Sequence, residues 1–302
     1  MSVLDKVKLA CTNPREIGRS FMAHTAQLWK SDETYLKLMY YFKMGKRLNL
    51  KNPVTYNEKL QWLKLHDRNP KYTLMVDKLA VKDYVASLIG KEYIIPTLAV
   101  WDTVDEIDLS GLPDKFVLKT TNGGGGGGVV ICRDKASFDL VAAKKKLSRA
   151  LSSDIFIQTR EWPYKNVVGR IIAEEYISDG SSEVLKDYKF YCFNGIPKVM
   201  LVATERFKSE HPCFDYFDME KNHLPFTQGG ENNSVQPSLP ENFDEMVKSA
   251  AALSVSLKHV RVDLYDANEK IYFGELTFFD SSGYAPFYPE EWDRIFGNWI
   301  EL

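Results

Sequence analysis

A lysine four residues before a run of glycines is the first feature of this sequence that could bind an anion. Lys119 precedes the glycines at 123–128 in the stretch FVLKTTNGGGGGGVVIC. Because glycine has no Cβ, the backbone amides of such a turn can converge on a phosphate, with the lysine ammonium beside them. The apolar residues on both sides predict two strands joined by the turn. The motif therefore indicates a phosphate-binding hairpin, and a slack hairpin that touches no ligand is the alternative.

Two common nucleotide-binding loops do not fit the same stretch. A Walker A loop needs G-x-x-x-x-G-K-[ST], but here Val129 and Val130 follow the last glycine. In a protein-kinase loop the lysine follows the glycines, whereas Lys119 precedes them. What remains is a strand, a glycine turn and a second strand, with the lysine first.

A pair of carboxylates near the C-terminus supplies the second half of a possible site. In the stretch HVRVDLYDANEKIYFGELTFFD, alternation along a strand places Arg261 and Asp263 on one face. A turn at 268–269 would set Asp263 opposite residues 274–275 on the partner strand, so that the carboxylate of Glu275 faces it. Like charges in this arrangement repel unless a positive charge lies between them, and Mg²⁺ is typically held by one or two carboxylates plus substrate phosphates. With the glycine turn, this pair predicts a phosphate-and-magnesium site; two exposed acids on a solvated hairpin are the alternative.

The elements that must position these motifs are predicted from hydrophobic spacing and turn residues. Thr55 and Glu58 form a capping-box pattern that starts a helix, and VDKLAVKDYVASLIG predicts another helix. A strand is predicted over 170–177 and a tight hairpin at 194–195. Residues 208–240 are turn-rich, and the stretch NNSVQPSLPEN is predicted to be a mobile loop. This order of strands and helices indicates an α+β or mixed α/β enzyme-like core.

Composition excludes several classes of protein. The chain has 302 residues, is 44% hydrophobic and has a formal net charge of −2, which gives no whole-surface basis for binding nucleic acid. No apolar run approaches the roughly 18 residues needed to cross a bilayer. The cysteines are isolated and without histidines at metal-ligand spacing, which predicts free thiols in a reducing compartment and a cytoplasmic location.

The combination of these motifs resembles the ATP-grasp ligases: a lysine before a glycine loop, a strand ending E-E-Y-I, and R-V-D paired with a later G-E-L-T. The stretches NPVTYNEKLQWLKL, VDKLAVKDYV, DYKFYCFNG and FGELTFFDSSG are similar to the TupA-like group, which is found with bacterial surface-polysaccharide genes. The resemblance implies an α+β ATP-grasp fold, in which two α+β subdomains grip ATP, preceded by a helical N-terminal region. The domain limits expected on this basis are 1–50 for the helical region, 51–112 for a pre-grasp subdomain, 113–177 for the glycine-loop lid and 178–302 for the C-terminal subdomain with the metal site.

The resemblance also implies roles for individual residues in binding ATP. It matches Lys78 and Lys119 to the nucleotide-binding lysines, and the strand end 174–177 to the hinge whose backbone reads adenine. The ribose is assigned to Asp187 of the D-x-K stretch, with Glu183 as the competing ligand. The residues expected to bind ATP are Lys78, Lys119, Gly123, Gly124, Gly125, Gly126, Gly127, Gly128, Glu174, Glu175, Tyr176, Ile177, Glu183 and Asp187. Lys82, one helical turn after Lys78, is expected at the surface.

The metal and catalytic residues come from the same resemblance. Asp263 and Glu275 match the Mg²⁺ ligands, and Thr277 stands where the superfamily often has asparagine, so it either binds the metal or buttresses Glu275. The catalytic residues expected are Arg261, which steadies an acyl phosphate, Lys189, which contacts a phosphate, and Arg206, which lies near the γ-phosphate or the acyl group.

The implied activity is an ATP- and Mg²⁺-dependent carboxylate–amine ligase that works through an acyl phosphate. Its implied substrates are an amino acid or amine and a uronic-acid carboxylate of a capsular or O-antigen saccharide. Arg160, Lys165 and Arg170 are candidates for holding an anionic substrate, with a solvated face as the alternative. An aromatic set is a candidate for stacking on sugar rings, with core packing as the alternative: Trp162, Tyr164, Tyr284, Phe287 and Tyr288. A glycosyltransferase and a non-catalytic nucleotide-binding module are the competing functions, although no D-x-D with suitable flanks is present.

Overall fold

The structure is a computed structural model, and it describes residues 14–124, 126–178, 185–204 and 212–302. Helices and antiparallel sheets alternate along the chain, which confirms the predicted α+β class. The helices are α1 Pro14–His24, α2 Asp32–Met44, α3 Tyr56–His66, α4 Lys71–Val76, α5 Val81–Ile89, α6 Leu140–Leu151, α7 Ile155–Thr159, α8 Phe243–Ser254 and α9 Glu291–Asn298. Short 3₁₀ turns lie at Ala26–Leu28, Lys91–Tyr93, Lys135–Ser137, Trp162–Asn166 and Asp280–Gly283.

The strands form two main sheets. They are β1 Thr97–Trp101, β2 Phe116–Thr120, β3 Val129–Cys132, β4 Ile171–Glu175, β5 Asp187–Phe193, β6 Ile196–Thr204, β7 Cys213–Asp218, β8 Thr227–Gln228, β9 His259–Ala267, β10 Lys270–Thr277 and β11 Phe287–Tyr288. The first sheet has the order β1-β4-β2-β3 and the second the order β10-β9-β5-β6-β7, while β8 and β11 pair with each other. The neighbouring strands within both sheets are antiparallel.

Local sequence signals account for several of these elements. Thr55 and Glu58 form the predicted capping box at the start of α3. Asn194 and Gly195 join β5 to β6 with φ of 50° and 80°, the left-handed pair that a two-residue hairpin turn requires. Pro96, which has no amide hydrogen, precedes the edge strand β1.

Two predicted elements were wrong in detail. The helix predicted over VDKLAVKDYVASLIG begins only at Val81, because the Asp77 carboxylate accepts from the amides of Leu79 and Ala80 and holds residues 77–80 in a turn between α4 and α5. The turn-rich segment over 208–240 contains β7 and β8, whereas no helix or strand lies in the predicted loop NNSVQPSLPEN. Strand β7 pairs with the preceding strand β6, and the turn residues that follow it hid this hairpin partner in the sequence.

Among the residues that the structure describes, three hydrophobic clusters hold the fold together. The largest packs α3, α4, α5, α8 and α9 against the second sheet and includes Tyr56, Phe190 and Phe296. A second joins α6 to the first sheet through Leu118 and Leu147. The third lies among α1 and α2. Within the described ranges, no helix combines the length and the apolar character needed to span a membrane.

Candidate active site

A cavity of about 590 Å³ is lined by residues from both main sheets. Strands β2, β3 and β4 contribute from the first sheet, and strands β5, β6, β7, β9 and β10 from the second. The predicted site residues that line it are Lys78, Lys119, Gly124, Gly126, Glu174, Glu175, Tyr176, Ile177, Asp187, Lys189, Arg261, Asp263, Glu275 and Thr277. Residues far apart in sequence are therefore brought to one space large enough for a ligand of drug or cofactor size.

Some predicted residues do not line this cavity. Gly123, Gly127 and Gly128 belong to the glycine turn, but the lining residues do not include them. Gly125, Glu183 and Arg206 lie outside the described residues, so their assignments stay predictions.

The glycine turn joins β2 to β3 as the sequence predicts, with Lys119 paired to Val129 at its base. A Cβ added to Gly128 would lie 2.1 Å from Thr120 Oγ1, and one added to Gly123 would lie 2.7 Å from the same atom. Gly126 has a φ of 77°, where a side chain is strained, whereas a Cβ added to Gly127 meets nothing within 4 Å. The run thus contains positions at which the turn requires glycine and at least one at which it does not.

Gly128→Ala is expected to lower the free energy of unfolding by about 1–3 kcal/mol, because the new methyl overlaps the buried side chain of Thr120. Gly127→Ala is the matched control, and it is expected to change the free energy by no more than about 0.5 kcal/mol. Urea denaturation followed by circular dichroism measures both. Equal stability of the two variants would show that the turn does not pack against Thr120.

Lys119 is held by an ion-pair cluster behind the glycine turn. Its Nζ lies 2.5 Å from Glu174 Oε2, and Lys82 Nζ lies 2.6 Å from Glu174 Oε1. Lys82 also donates to the Ile95 carbonyl and the Thr97 hydroxyl. Burial opposes ionisation of Glu174, but the two ammonium groups outweigh it and lower the pKa of the carboxyl. The Glu174 side chain therefore positions Lys119.

The prediction that Lys82 lies at the surface was wrong. The side chain is 12% exposed, and burial lowers the pKa of its ammonium against the opposing effect of Glu174. Lys82 is the second residue of α5 and follows Lys78 by four positions, and this spacing alone suggested an outward position. Its Glu174 partner lies about 90 residues away on another strand, and sequence pattern does not reveal that contact.

Lys78 connects the glycine turn to the hairpin of β9 and β10 that carries Asp263 and Glu275, called the acidic hairpin below. Its Nζ donates to the Gly123 carbonyl at 2.5 Å and lies 3.1 Å from Glu275 Oε2. Its backbone amide donates to the Thr121 carbonyl at 3.1 Å. The residue lies between α4 and α5, at the break that Asp77 creates, and this break directs it into the cavity.

The acidic hairpin has the predicted register. Asn268 and Glu269 form the turn with φ of 53° and 62°, and Glu275 pairs with Asp263 across β9 and β10. The register shifts between Phe273 and Glu275, so Gly274 is an extra residue in β10. The bulge explains how both carboxylates reach the same cavity.

Side-chain cations compensate the two carboxylates. Asp263 accepts from Arg261 Nε and Nη2, both at 2.7 Å, and it also contacts Lys189. Glu275 contacts Lys78 and, at 3.7 Å, Arg261 Nη2. Burial raises the pKa of Glu275, but Lys78, Lys189 and Arg261 more than offset it, so its pKa lies well below the usual range. The repulsion between the acids is thus relieved by the protein itself, which the sequence argument did not foresee.

The carboxylates of Asp263 and Glu275 still fit a Mg²⁺ site. Each ionised carboxylate offers about four lone-pair sites, and Glu275, whose side chain is 30% exposed, contacts Lys78 at 3.1 Å through Oε2. Thr277 Oγ1 lies 3.4 Å from Glu275 Oε1 and accepts from Arg261 Nη2 at 3.2 Å, an arrangement that suits a buttress. Among the described residues no group of three or more histidine, cysteine, aspartate and glutamate side chains is placed to hold a metal. Two carboxylates complete a magnesium site only when a phosphate ligand joins them.

Helix α3 supports the site in a way that sequence analysis missed. Gln61 Nε2 donates to the carbonyls of Ser282 and Gly283, and Lys64 Nζ donates to the Ser282 carbonyl at 2.8 Å. The turn that they anchor begins at Asp280, which forms an ion pair with Arg261. The sequence shows only that Asn57, Gln61 and Lys64 have helical spacing, which places them on one face of α3; their burial is seen only in the structure.

The three residues considered for holding an anionic substrate differ in their placement, and only Lys165 fits the alternative of a solvated face. Arg160 is 3% exposed and donates to the carbonyls of Ala26 and Trp29, so it ties α7 to the N-terminal helices. Arg160 therefore neither faces the cavity, where it could hold an anionic substrate, nor lies on a solvated face. Lys165 is exposed, Arg170 is half-buried, and the cavity lining includes neither.

The aromatic set divides between core, surface and cavity. Tyr284 and Phe287 are buried in hydrophobic clusters, and Tyr288 is exposed. Trp162 is half-buried and does not line the cavity, whereas Tyr164 does. Core packing is therefore correct for Tyr284 and Phe287, and Tyr164 is the member placed to touch a ligand.

Comparison with known proteins adds a family match. Residues 58–301 match the family described as TupA-like ATPgrasp. None of the curated proteins compared with the sequence matches it.

Several solved structures align with the chain at low identity. A D-alanine–D-alanine ligase from Bacillus anthracis complexed with ATP is 13% identical, with a TM-score of 0.39 over 68% of this chain and 54% of that one. D-alanyl-alanine synthetase A from Vibrio cholerae is 12% identical, with a TM-score of 0.40 over 82% and 62%. The ATP-grasp ligase PsnB complexed with minimal precursor, Mg and ADP is 11% identical, with a TM-score of 0.37 over 73% and 56%. The chain spans less than two thirds of the length of each.

Proposed function

Because the chain belongs to the TupA-like ATP-grasp family, we propose that it is an ATP- and Mg²⁺-dependent carboxylate–amine ligase. The family match confirms the resemblance and the ATP-grasp fold that the sequence indicates. The proposed reaction transfers the γ-phosphoryl group of ATP to a carboxylate, and an amine then displaces phosphate from the acyl phosphate. Its proposed setting is the cytoplasm.

The observation that carries the proposal is the joining of a phosphate turn to a carboxylate pair through Lys78. This ammonium contacts Gly123 on one side and Glu275 on the other. Phosphoryl transfer depends mainly on positioning and on neutralising charge as the phosphoryl group moves. A cavity that brings Lys78, Lys119 and Lys189 to two carboxylates has the charges for that task.

Each part of the cavity has a proposed role in this reaction. The strand end 174–177 would bind the adenine through its backbone, beside the apolar side chains of Val117 and Ile131. Lys119 would contact the α- and β-phosphates. Mg²⁺ held by Asp263 and Glu275 would neutralise the β- and γ-phosphate oxygens.

Arg261 is proposed to stabilise the transferring phosphoryl group. Its guanidinium is fixed by Asp263, Asp280 and Thr277, so it is preorganised before substrate binds. Burial opposes its ionisation, but the two aspartates outweigh burial, and the pKa of Arg261 lies well above its usual range. The cation therefore keeps its charge during the reaction.

The substrates are proposed from the family setting alone: a uronic-acid carboxylate of a surface saccharide, and an amino acid or other amine. The test incubates the purified protein with ATP, Mg²⁺ and paired panels of uronic acids and amines. We expect ADP and phosphate to form only when both substrates are present. Release of AMP and pyrophosphate, turnover of a UDP-sugar without ATP, or no turnover with any pair would contradict the proposal.

A further inference from the structure

A second buried charged cluster lies on the side of the cavity next to Arg261. Thr159, Glu161 and Ser282 line the cavity there, and Lys64 packs behind them. Asp280, which pairs with Arg261, is only two residues before Ser282. The roles proposed above for ATP and Mg²⁺ use none of these four cluster residues.

Lys64 donates hydrogen bonds to two of the cluster residues, Thr159 and Ser282. This fully buried ammonium donates to the Thr159 carbonyl at 3.0 Å and, on Ser282, to the carbonyl at 2.8 Å and the hydroxyl at 2.9 Å. Three acceptors match the three N–H groups of a lysine. Because the Ser282 hydroxyl accepts from Lys64, its own proton is available to Glu161, which lies within hydrogen-bonding reach.

Glu161 is an acceptor placed at the cavity wall. The Ser282 hydroxyl lies beside its carboxylate, and its backbone amide donates to the hydroxyl of Thr159, which itself donates to the Ile155 carbonyl. The residue is 8% exposed, and an ionised carboxylate with one such hydroxyl partner retains lone pairs for a further donor. Glu161 forms no ion pair with the lysine and arginine residues that line the cavity, which are Lys78, Lys119, Lys189 and Arg261.

Tyr164 relates this carboxylate to the proposed phosphoryl-transfer centre. The tyrosine lines the same cavity as Glu161, Glu275 and Arg261. A Cβ added to Gly124 would lie 3.9 Å from its hydroxyl, so the ring also reaches the glycine turn. Glu161 and Arg261 therefore face one space that a single substrate can occupy.

The backbone of the turn that contains Ser282 is strained. Ser281 and Ser282 have φ of 48° and 56°, a left-handed conformation that costs of the order of 1–3 kcal/mol in a residue with a side chain. Gln61 and Lys64 hold the turn in this conformation through the carbonyl of Ser282. Burying a lysine and a glutamate is itself costly, so the cluster stores free energy beside the cavity.

We propose that Glu161, oriented by Ser282 and supported by Lys64, binds the primary ammonium group of the acceptor substrate and takes its proton. This proposal rests on the ligase function. The ammonium gives one proton to Glu161, the freed nitrogen attacks the acyl carbon, and the C–N bond forms as the C–O bond to phosphate breaks. The amide nitrogen keeps one hydrogen, and the remaining proton leaves with phosphate as HPO₄²⁻.

The titration behaviour of the cluster suits this role. Burial raises the pKa of Glu161 against the opposing effect of Lys64, which makes the carboxylate a stronger base than an exposed one. Burial lowers the pKa of Lys64 to about 7.

Saturation-transfer NMR tests the site without turnover. The full chain is loaded with AMP-PNP and Mg²⁺ and mixed with propylamine or with 1-propanol, which has the same size and no charge. We expect a signal for propylamine well above that for propanol, and a loss of about 10- to 100-fold in propylamine affinity in Glu161→Gln, as for one charge-assisted hydrogen bond. Glu220→Gln, the same change at an exposed residue outside the cavity, is expected to keep the signal.

The outcomes separate this site from the ligase function. Equal signals for propylamine and propanol, or an unchanged signal in Glu161→Gln, would overturn the site. Binding of AMP-PNP by Glu161→Gln shows that this variant folds. If Glu161→Gln does not fold, Glu161→Asp, which keeps the charge, replaces it. Glu161→Asp is expected to bind propylamine more weakly than the parent protein does, but still more strongly than it binds propanol. With an active substrate pair, Glu161→Gln is expected to raise KM for the amine and leave KM for ATP unchanged. If Glu161→Gln had ligase activity with an unaltered KM for the amine, only the proposed amine site would be contradicted. If the protein bound the amine but had no ligase activity, only the ligase function would be contradicted.

Discussion

Asp263→Asn is expected to lower ligase turnover by about 10³-fold, the effect of losing several kcal/mol of transition-state stabilisation. Asparagine has the same shape but no charge, so it weakens the proposed metal site and releases Arg261 and Lys189 from their shared counter-ion. Initial rates of ADP formation at saturating ATP and Mg²⁺ measure the loss. We also expect a lower Tm with unchanged secondary structure, because two buried cations lose a partner.

Asp266→Asn is the matched control. Asp266 lies on the same strand, accepts from Asn242 and does not line the cavity. Its substitution is expected to leave turnover within about threefold, as for a change away from the site. If Asp263→Asn retained full activity, the carboxylate pair would not be part of the reaction centre.

Lys119→Ala is expected to lower kcat/KM for ATP by about 10²–10³-fold, because one preorganised cation is lost from the phosphate site. The variant also leaves the buried Glu174 with Lys82 as its remaining ion-pair partner among the described residues, so we expect a destabilisation of about 1–3 kcal/mol. Steady-state kinetics over a range of ATP concentrations gives the first effect, and urea denaturation gives the second.

The comparison for this variant is Lys115→Ala, at an exposed position just before β2. It removes a lysine of the same strand region without touching Glu174, and its kcat/KM for ATP is expected to stay at the parent value. Equal loss in both variants would point to a general effect of surface charge. No loss in Lys119→Ala would remove Lys119 from the phosphate site.

Sequence reasoning succeeded where the chemistry depends on local geometry. The strand period places Arg261 and Asp263 on one face, and the turn at 268–269 fixes which residue of β10 faces them. Both are properties of one hairpin, and so they can be predicted from one stretch of sequence. The glycine turn between β2 and β3 is a second local case.

It failed where a side chain finds its partner across the fold. Lys82 was expected at the surface, yet it meets Glu174 on another strand. Arg160 was expected near substrate or solvent, yet it binds carbonyls of the N-terminal region. Each outcome depends on which elements pack together, and neither helical spacing nor composition contains that information.

The cluster around Glu161 shows a related limit. Its parts come from α3, from the end of α7 and from the turn after β10, so that only the folded chain brings Lys64, Glu161 and Ser282 together. The polar residues of α3 at helical spacing were visible in the sequence as a stripe. Such a stripe usually faces solvent, and its burial here is a tertiary property.

Transfer of ¹⁸O from the carboxylate substrate to inorganic phosphate tests the central claim most directly. In the proposed reaction, a carboxylate oxygen attacks the γ-phosphorus and leaves with phosphate when the amine forms the amide. With a substrate pair from the product assay and ¹⁸O in its carboxylate, the phosphate released is expected to carry one ¹⁸O for each amide formed. Label in AMP, or phosphate that carries no label while amide accumulates, would contradict the acyl-phosphate mechanism.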